Sequence, residues 1–498
     1  MPAVSLMNKQ SGLLTALLTG IPVAAVYLPL ALFRYAWSDD VPSLAYDAGS
    51  KPFADLRPIA GVLERVAFSF MDGIGSLWIL RSLSVFGIVL FAVTTQVLLR
   101  RWGFSTQLGI LGGISVAFLP PFYGFVGFAV TWLAPYLFLL GGVAGLLVVE
   151  PPIRRGRWPS VAGLFLLILI FLTYPPSAMC AWGFLGVRAA VIRTSPSQLM
   201  RESLRLGVAV AVAGITALGV ALIVRSTMSV DTDTRVRLIG SLGELLDKLI
   251  WFVSHPVVVA ARTYQISSPG FVEAALTGGV VLLLIAVGLF LRFAGRHRDR
   301  FGAVCLLFAL ASLTMSFHLI VPDNQIEYRF MTGLSVTIWL YLVVALLSIR
   351  DQVLKLVPPQ KSQALQQVVS GTGIAAFTFL CVVTAHLAWT NVHQVFIEPW
   401  RIKETYLTQQ LARFADGRYD EILIINPEYG AWPHRSNLGI YSTRSDLSHS
   451  WVAIPNVRLL IEEHSPDMAS IPIVESKTAR LVPPNVFVLD LRPLVAKM

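Results

Sequence analysis

The chain has 498 residues, 55% of them hydrophobic and 14% charged, with a formal net charge of +10. Apolar stretches approaching or exceeding the roughly 20 residues that cross a bilayer recur along it, so it is a polytopic membrane protein and not a soluble one. The basic residues form short clusters between hydrophobic runs, where they orient a chain in a membrane, and so do not indicate nucleic acid. Cys180, Cys305 and Cys381 fall inside apolar segments without metal-ligand spacing, which gives no support to a disulfide framework or a zinc site.

The first apolar segment, near 12–33, is too long for a signal-peptide core and lacks a small-residue cleavage site, so it reads as a retained helix. Further spans near 77–99, 105–124, 130–149, 160–174, 177–192, 204–225, 272–293, 301–321, 330–349 and 370–391 bring the expected number of crossings to about eleven. Pro175 and Pro176 leave open that the fifth and sixth are one bent element. Arg100 and Arg101, then Arg154, Arg155 and Arg157, then Arg188, Arg193, Arg201 and Arg205, then Arg292, Arg296, Arg298 and Arg300, then Arg350, Lys355 and Lys361 occupy every second connection. This alternation places the N-terminus in the cytoplasm and the remaining connections outside.

Three regions then lie outside. The first, near 34–76, carries Asp39 and Asp40, followed by Ile59, Val62, Leu63, Val66, Ala67 and Phe70 at the spacing of an amphipathic helix lying on the membrane surface. The second, near 226–271, contains the charged segment 231–235 and a further amphipathic stretch through Leu242, Leu245, Leu246, Leu249 and Ile250. In the third, after Asn391, a helix over 402–414 and strands over 421–425 and 486–489 predict a small α/β unit. The expected fold is mainly α, with a transmembrane domain over 1–392 and an extracytoplasmic α/β domain over 393–498.

An acidic pair at a membrane boundary is costly unless it does chemistry or satisfies a local turn or helix cap. Ser38-Asp39-Asp40 after a first outward helix, followed by Asp55-Leu56-Arg57-Pro58-Ile59, resembles the bacterial type II glucosyltransferases that modify O-antigen, within the GT-C class of integral-membrane glycosyltransferases. The family's second landmark reads Gly-Arg-Pro-Leu, so a leucine, Leu56, stands here where the family has glycine. The resemblance implies a GT-C-like catalytic domain in the bacterial inner (cytoplasmic) membrane. It also implies a polyprenyl-phosphate-linked sugar donor, an acceptor on the outer face (a cell-envelope glycan, glycolipid or protein), and a catalytic aspartate in the first outer loop.

The chemistry of such a transfer needs a base for the acceptor hydroxyl, cations for the departing phosphate and a membrane groove for the lipid. Adjacent residues point in different directions, so one of Asp39 and Asp40 is expected to be the base, Asp39 being favoured, and the other to organise the loop. Arg57, Arg81 and Arg329 are the candidate phosphate ligands, with Arg262 behind them, because the planar guanidinium matches a phosphate. Arg81 and Arg329 read equally well as interfacial residues snorkelling to water. Glu327 and Tyr328, beside Arg329, and the aromatic Tyr174 are candidates for the sugar, while Tyr174 also fits an interfacial aromatic belt. His255 and His318 read as interfacial hydrogen-bonding groups.

No cofactor is expected, although an aspartate pair leaves a divalent cation open. The reaction expected is an inverting single displacement. Two other readings remain: a lipid-linked sugar flippase or transporter, and an O-antigen-type glycan polymerase.

Overall fold

The computed structural model describes residues 3–37, 39–149, 158–228, 239–262, 271–293, 297–321, 324, 328–355, 359–415, 419–426, 450–464, 470–476 and 482–497. The predicted segment 231–235 therefore lies outside the described residues. The N-terminal part runs α1 (Ala3–Ala31), α2 (Asp40–Ala45), α3 (Ser50–Ala54), α4 (Pro58–Phe68), α5 (Trp78–Arg101), α6 (Thr106–Ala117), α7 (Pro120–Gly127) and α8 (Ala134–Val149). The middle runs α9 (Trp158–Thr173), α10 (Pro175–Ala178), α11 (Cys180–Ile192), α12 (Pro196–Met228), α13 (Leu242–Phe252), α14 (Val258–Ala261), α15 (Phe271–Arg292), α16 (His297–Leu313), α17 (Ser316–Leu319), α18 (Thr332–Lys355) and α19 (Pro359–Val392). The C-terminal part comprises α20 (Glu398–Ala415), β1 (Glu421–Ile425), α21 (Ser450–His464), β2 (Ile473–Ser476), β3 (Val486–Asp490) and α22 (Arg492–Lys497).

The protein is mainly helical and membrane-like, but the count of about eleven crossings is corrected. Six helical stretches, built on α1, α5, α8, α12, α18 and α19, are long and apolar enough to span a bilayer, and the pair α6 and α7, bent by 55°, makes a seventh if it is one span. Helices do occupy the other predicted positions, but they are too short or too charged at one end. At about 1.5 Å per residue, the 16 residues of α9 and the 13 of α11 fall short of a hydrocarbon core. In α16, His297, Arg298, Asp299 and Arg300 occupy the first turn. At Pro175 and Pro176, where the sequence leaves open one bent element or two, the helix breaks: α9 ends at Thr173 and α10 begins at Pro175.

Burial separates a centre from a lipid-facing rim. The span containing α18 is 83% buried and that containing α12 is 17% buried, which makes α18 the central helix. Its residues from Thr332 to Ala345 are buried without interruption. Without a hydrophobic driving force between helices in lipid, close approach depends on small residues and scattered hydrogen bonds. A Cβ on Gly288 of α15 would lie 2.4 Å from the Cβ of Ala345 on α18, and one on Gly141 of α8 would lie 2.1 Å from the carbonyl of Ser177. Trp339 Nε1 donates to Ser115 Oγ at 2.9 Å and Tyr341 donates to the Leu307 carbonyl at 3.1 Å.

The C-terminal part has its own core, in which Leu407, Leu411 and Phe414 of α20 and Val457, Leu460 and Ile461 of α21 cover Ile422, Ile424, Phe487 and Leu489 of the sheet. The sheet is parallel, in the order β2-β1-β3, with Ile422 opposite Ile473 and Phe487. The predicted strands 421–425 and 486–489 are β1 and β3, whereas β2 and α21 are additional. This unit rests on the first loop: Arg34 is ion-paired with Glu404 of α20 and Glu463 of α21, and Val452 of α21 joins the core of the helical bundle.

The close α15–α18 contact gives a direct test of this packing. Gly288→Ala forces two backbones apart and should lower stability in detergent by about 1–3 kcal/mol. Gly279→Ala on the same helix, where an added Cβ meets nothing within 4 Å, should be neutral or slightly stabilising. Thermal melts of both variants check this.

Candidate active site

After α1, residues 34–37 have no regular secondary structure, and Tyr35, Ala36 and Trp37 are buried. Arg81 on α5 fixes this segment. Its guanidinium stacks 3.5 Å from the centre of the Tyr35 ring, donates to the Tyr35 carbonyl at 2.7 Å and pairs with Asp40 Oδ2 at 3.1 Å. Asp40 accepts two further hydrogen bonds, from the Trp37 N–H at 3.2 Å and the Val130 N–H at 3.0 Å. Both Asp40 and Arg81 are 0% exposed. Burial pushes the Asp40 carboxyl up, against the pull of Arg81 and the surrounding N–H groups. The pair therefore ties the first loop to α5 and to the turn before α8, and neither member faces a place a substrate reaches. The sequence reading has Asp40 as a possible base and Arg81 as a phosphate ligand; the structure places both in this buried pair.

Asp39 points the other way. It stands at the N-terminal boundary of α2, but its side chain makes no capping hydrogen bond. Its carboxylate instead meets Lys51 Nζ on α3 at 3.0 Å and Arg329 Nη1 at 3.8 Å, with its side chain still 15% exposed. Burial pushes the Asp39 carboxyl up, but Lys51, Arg329 and Arg57 outweigh it and hold the group below the usual carboxylate range. The sequence reading favours Asp39 as the base; in the structure Asp40 is the anchored residue and Asp39 keeps part of its side chain exposed.

Arg57 is brought to the same place by a tight turn. α3 ends at Asp55, Leu56 adopts a left-handed conformation with φ of 58°, and Arg57 precedes Pro58, the first residue of α4. The Arg57 N–H donates to the Pro52 carbonyl at 2.8 Å. A positive φ favours glycine, so leucine here carries strain of about 1–3 kcal/mol. Leu56 and Ile59 in turn pack against Leu172, Ala217 and Ala221 on α9 and α12. Arg57 is ion-paired with Asp55 and lies 6.0 Å from the centre of the Tyr174 ring. Arg329, in the turn before α18, lies 5.4 Å from the Phe128 ring and 5.3 Å from that of Phe330. Phe330 in turn contacts Tyr174 and His318. The His318 imidazole is held neutral by burial, which pulls it down to about 3, with a smaller contribution from Lys248.

Asp39, Arg57, Arg329 and Tyr174 are thus brought together, while Asp40 and Arg81 lie buried behind them. Glu327 is outside the described residues, and of Tyr328 only the backbone is described. Arg262 is buried near the end of α14, and His255 is exposed and bonded to Ser254.

Two residues that the sequence reading did not single out complete the group. Lys51 had no signal beyond its charge. Glu64 did have one: it lies on the row Ala60, Glu64, Phe68 of α4, whose other two members are buried, while Val62 and Val66 are exposed on the opposite side. A carboxyl on the protein-facing row of an amphipathic helix is out of place in the pattern. Burial pushes Glu64 up to about 8; Arg57 opposes the shift and the Asp39 carboxylate adds to it. The site thus has one carboxyl held low and another held high. Among the described residues, no group of three or more His, Cys, Asp or Glu side chains is placed to hold a metal ion.

No protein-family profile matches the chain, and no curated protein is significantly similar to it in sequence.

The division of labour between the two aspartates is testable by stability alone. Removing one member of a buried pair leaves the other uncompensated, so Asp40→Ala and Arg81→Ala should each cost about 3–5 kcal/mol. Asp39→Asn should melt close to wild type. Equal losses for Asp39 and Asp40 variants in detergent melts would contradict the assignment.

Proposed function

We propose that the protein is a membrane glycosyltransferase of the GT-C class. It moves a sugar from a polyprenyl-phosphate donor to a cell-envelope glycan, glycolipid or protein on the outer face of the bacterial inner membrane. The observation that carries this reading is the convergence of one accessible carboxylate, Asp39, with three cations, Lys51, Arg57 and Arg329, beside an amphipathic helix, α4, whose exposed side is apolar.

Each part has a chemical task. The apolar face of α4, with Val62 and Val66 exposed and Phe70 just beyond its end, sits at the lipid interface and guides the polyprenyl chain. Arg57 and Arg329 hold the donor phosphate, the guanidinium fork of each matching two of its oxygens. Tyr174 and Phe330 offer aromatic surface to the sugar. Asp39, ionised at neutral pH, takes the proton of the acceptor hydroxyl as its oxygen attacks the anomeric carbon and the phosphate departs with the bonding electrons, which gives inversion. Donor binding also activates the base. A phosphate that draws Lys51 and Arg329 onto itself relieves Asp39 of the cations that hold its pKa down.

The N-terminus is cytoplasmic, and the first loop and the C-terminal unit share the outer face. Arg34 ties these two regions together directly, while Arg100 and Arg101 stand at the opposite end of α5 from Arg81.

Transfer from a polyprenyl-phosphate sugar to envelope glycan, assayed with purified protein in detergent, tests the reading. Asp39→Asn should lower the rate a hundredfold or more while donor binding persists. Arg57→Ala and Arg329→Ala should each remove about 3 kcal/mol of transition-state stabilisation, with Lys restoring only part. Movement of intact lipid-linked sugar across vesicles without transfer would instead make the protein a flippase. Elongation from a lipid-diphosphate oligosaccharide would make it a polymerase.

Topology is tested separately. A reporter active only outside the cytoplasm, fused after Met498, should be active; activity of a cytoplasm-specific reporter alone would overturn the placement of Asp39.

A further inference from the structure

Glu64 is a carboxyl among cations that does not pair with them. Arg57, at the start of its own helix, Lys51 on α3 and Arg329 before α18 all act on it, as does Asp39. Yet Asp39 takes Lys51 and Arg329, and Asp55 takes Arg57. Among the described residues Glu64 has no hydrogen bond and no ion pair. The end of α9 that packs near α4 contributes Ile168, Phe171 and Leu172, which do not titrate. The remaining charged pair on this helix, Arg65 with Asp47, is turned to solvent and satisfied at 2.9 and 2.5 Å. Arg57, Gly61 and Glu64 share one face of α4 at helical spacing, and a Cβ on Gly61 would meet the Phe53 ring of α3 at 2.6 Å. The half-buried Glu64 therefore lies on the side of α4 that packs on α3 and carries Arg57, with a side chain uncommitted to any cation.

An ionised carboxylate there would repel the phosphate the cations are proposed to bind. A neutral carboxyl has the opposite effect, since it offers an O–H to a phosphate oxygen. On the glycosyltransferase reading above, we propose that Glu64 is the proton donor to the departing polyprenyl phosphate and a second catalytic residue of the site. The acceptor hydroxyl oxygen bonds to the anomeric carbon and its proton goes to Asp39. The bond from that carbon to the phosphate oxygen breaks, with its electrons staying on the phosphate. The Glu64 proton passes to a phosphate oxygen, so the leaving group departs as the singly protonated monoester. Each turnover leaves Asp39 protonated and Glu64 ionised, and one proton passing from the first to the second resets the site.

The sign of the pH dependence distinguishes this role from a structural one. A monoester's second ionisation, near pH 6, gives it more charge as pH rises and by itself strengthens binding to cations. Loss of the Glu64 proton near pH 8 acts the opposite way and weakens it.

The experiment measures two quantities between pH 6 and 9 on purified full-length protein in detergent: the affinity for a polyprenyl monophosphate, and kcat/KM for sugar transfer. Wild-type affinity should fall several-fold from pH 7 to 9, and kcat/KM should show an alkaline limb near pH 8. Glu64→Gln keeps the shape of the neutral carboxyl and should melt like wild type. It should abolish the fall in affinity, remove the alkaline limb and lower kcat/KM about a hundredfold. Wild-type affinity that does not weaken above pH 7 overturns the proposal without any variant. A Glu64→Gln protein with wild-type turnover and an unchanged pH profile overturns it while leaving the glycosyltransferase reading intact. Wild-type protein that binds the monophosphate but transfers sugar from no polyprenyl-phosphate donor removes that reading and the proton donor with it.

Discussion

The buried contact between Arg81 and Asp40 is the constraint on which the candidate site of this protein depends. A guanidinium and a carboxylate wholly out of water are tolerable only with good geometry and additional hydrogen bonds. Here the backbone supplies part of them, through the Tyr35 carbonyl and the N–H groups of Trp37 and Val130, and the Tyr35 ring covers a guanidinium whose Nε and Nη1 have no hydrogen-bond partner among the described residues. The interaction draws three pieces of chain together: the segment after the first helix, the N-terminal end of α5 and the turn before α8. Because Asp40 is turned inwards, its neighbour Asp39 is turned outwards, towards α3, α4 and the turn before α18. One buried ion pair thus sets the direction of the aspartate next to it.

The remaining contacts limit how far that aspartate moves. α3 and α4 fold back on each other closely, since a Cβ on Gly61 would lie 2.6 Å from the Phe53 ring and one on Gly49 would lie 2.6 Å from the Gly61 carbonyl. The turn between them places Arg57 through the strained backbone of Leu56, a conformation held by packing of that leucine against α9 and α12. Local strain maintained by surrounding structure is common where a functional group must be aimed. From the far side, the C-terminal unit closes over the loop through Arg34 and α21. Without this unit the loop would be held on one side only.

Much of this was legible in the sequence because it rested on local pattern. The apolar runs gave the helix positions, the alternation through Ile59, Val62 and Val66 gave α4, and β-rich stretches gave β1 and β3. Asp39, Arg57 and Tyr174 were identifiable by residue type near the membrane boundary. What the sequence could not provide was direction. Adjacent aspartates are equivalent in a string of letters, and only the position of Arg81, one helix away, decides which is buried. The number of crossings failed for a related reason, since hydropathy does not separate a short helix packed in a bundle from a full span. Glu64 was passed over because the apolar residues of α4 drew attention to the lipid side, although its place between Ala60 and Phe68 marked the other side. β2 and α21 were missed because their apolar residues are few and make sense only against the partner strand and the first loop.

The central claim is that the accessible carboxylate and the surrounding cations form the seat of a lipid-linked phosphate. A cryo-electron microscopy structure with a bound polyprenyl monophosphate tests it most directly. The account predicts the phosphate within ion-pair distance of Arg57 and Arg329, with Lys51 drawn away from Asp39 and the polyprenyl chain leaving along Val62, Val66 and Phe70. A phosphate seated instead against Lys248 and Arg262, with the Asp39 ion pairs unchanged, would contradict it.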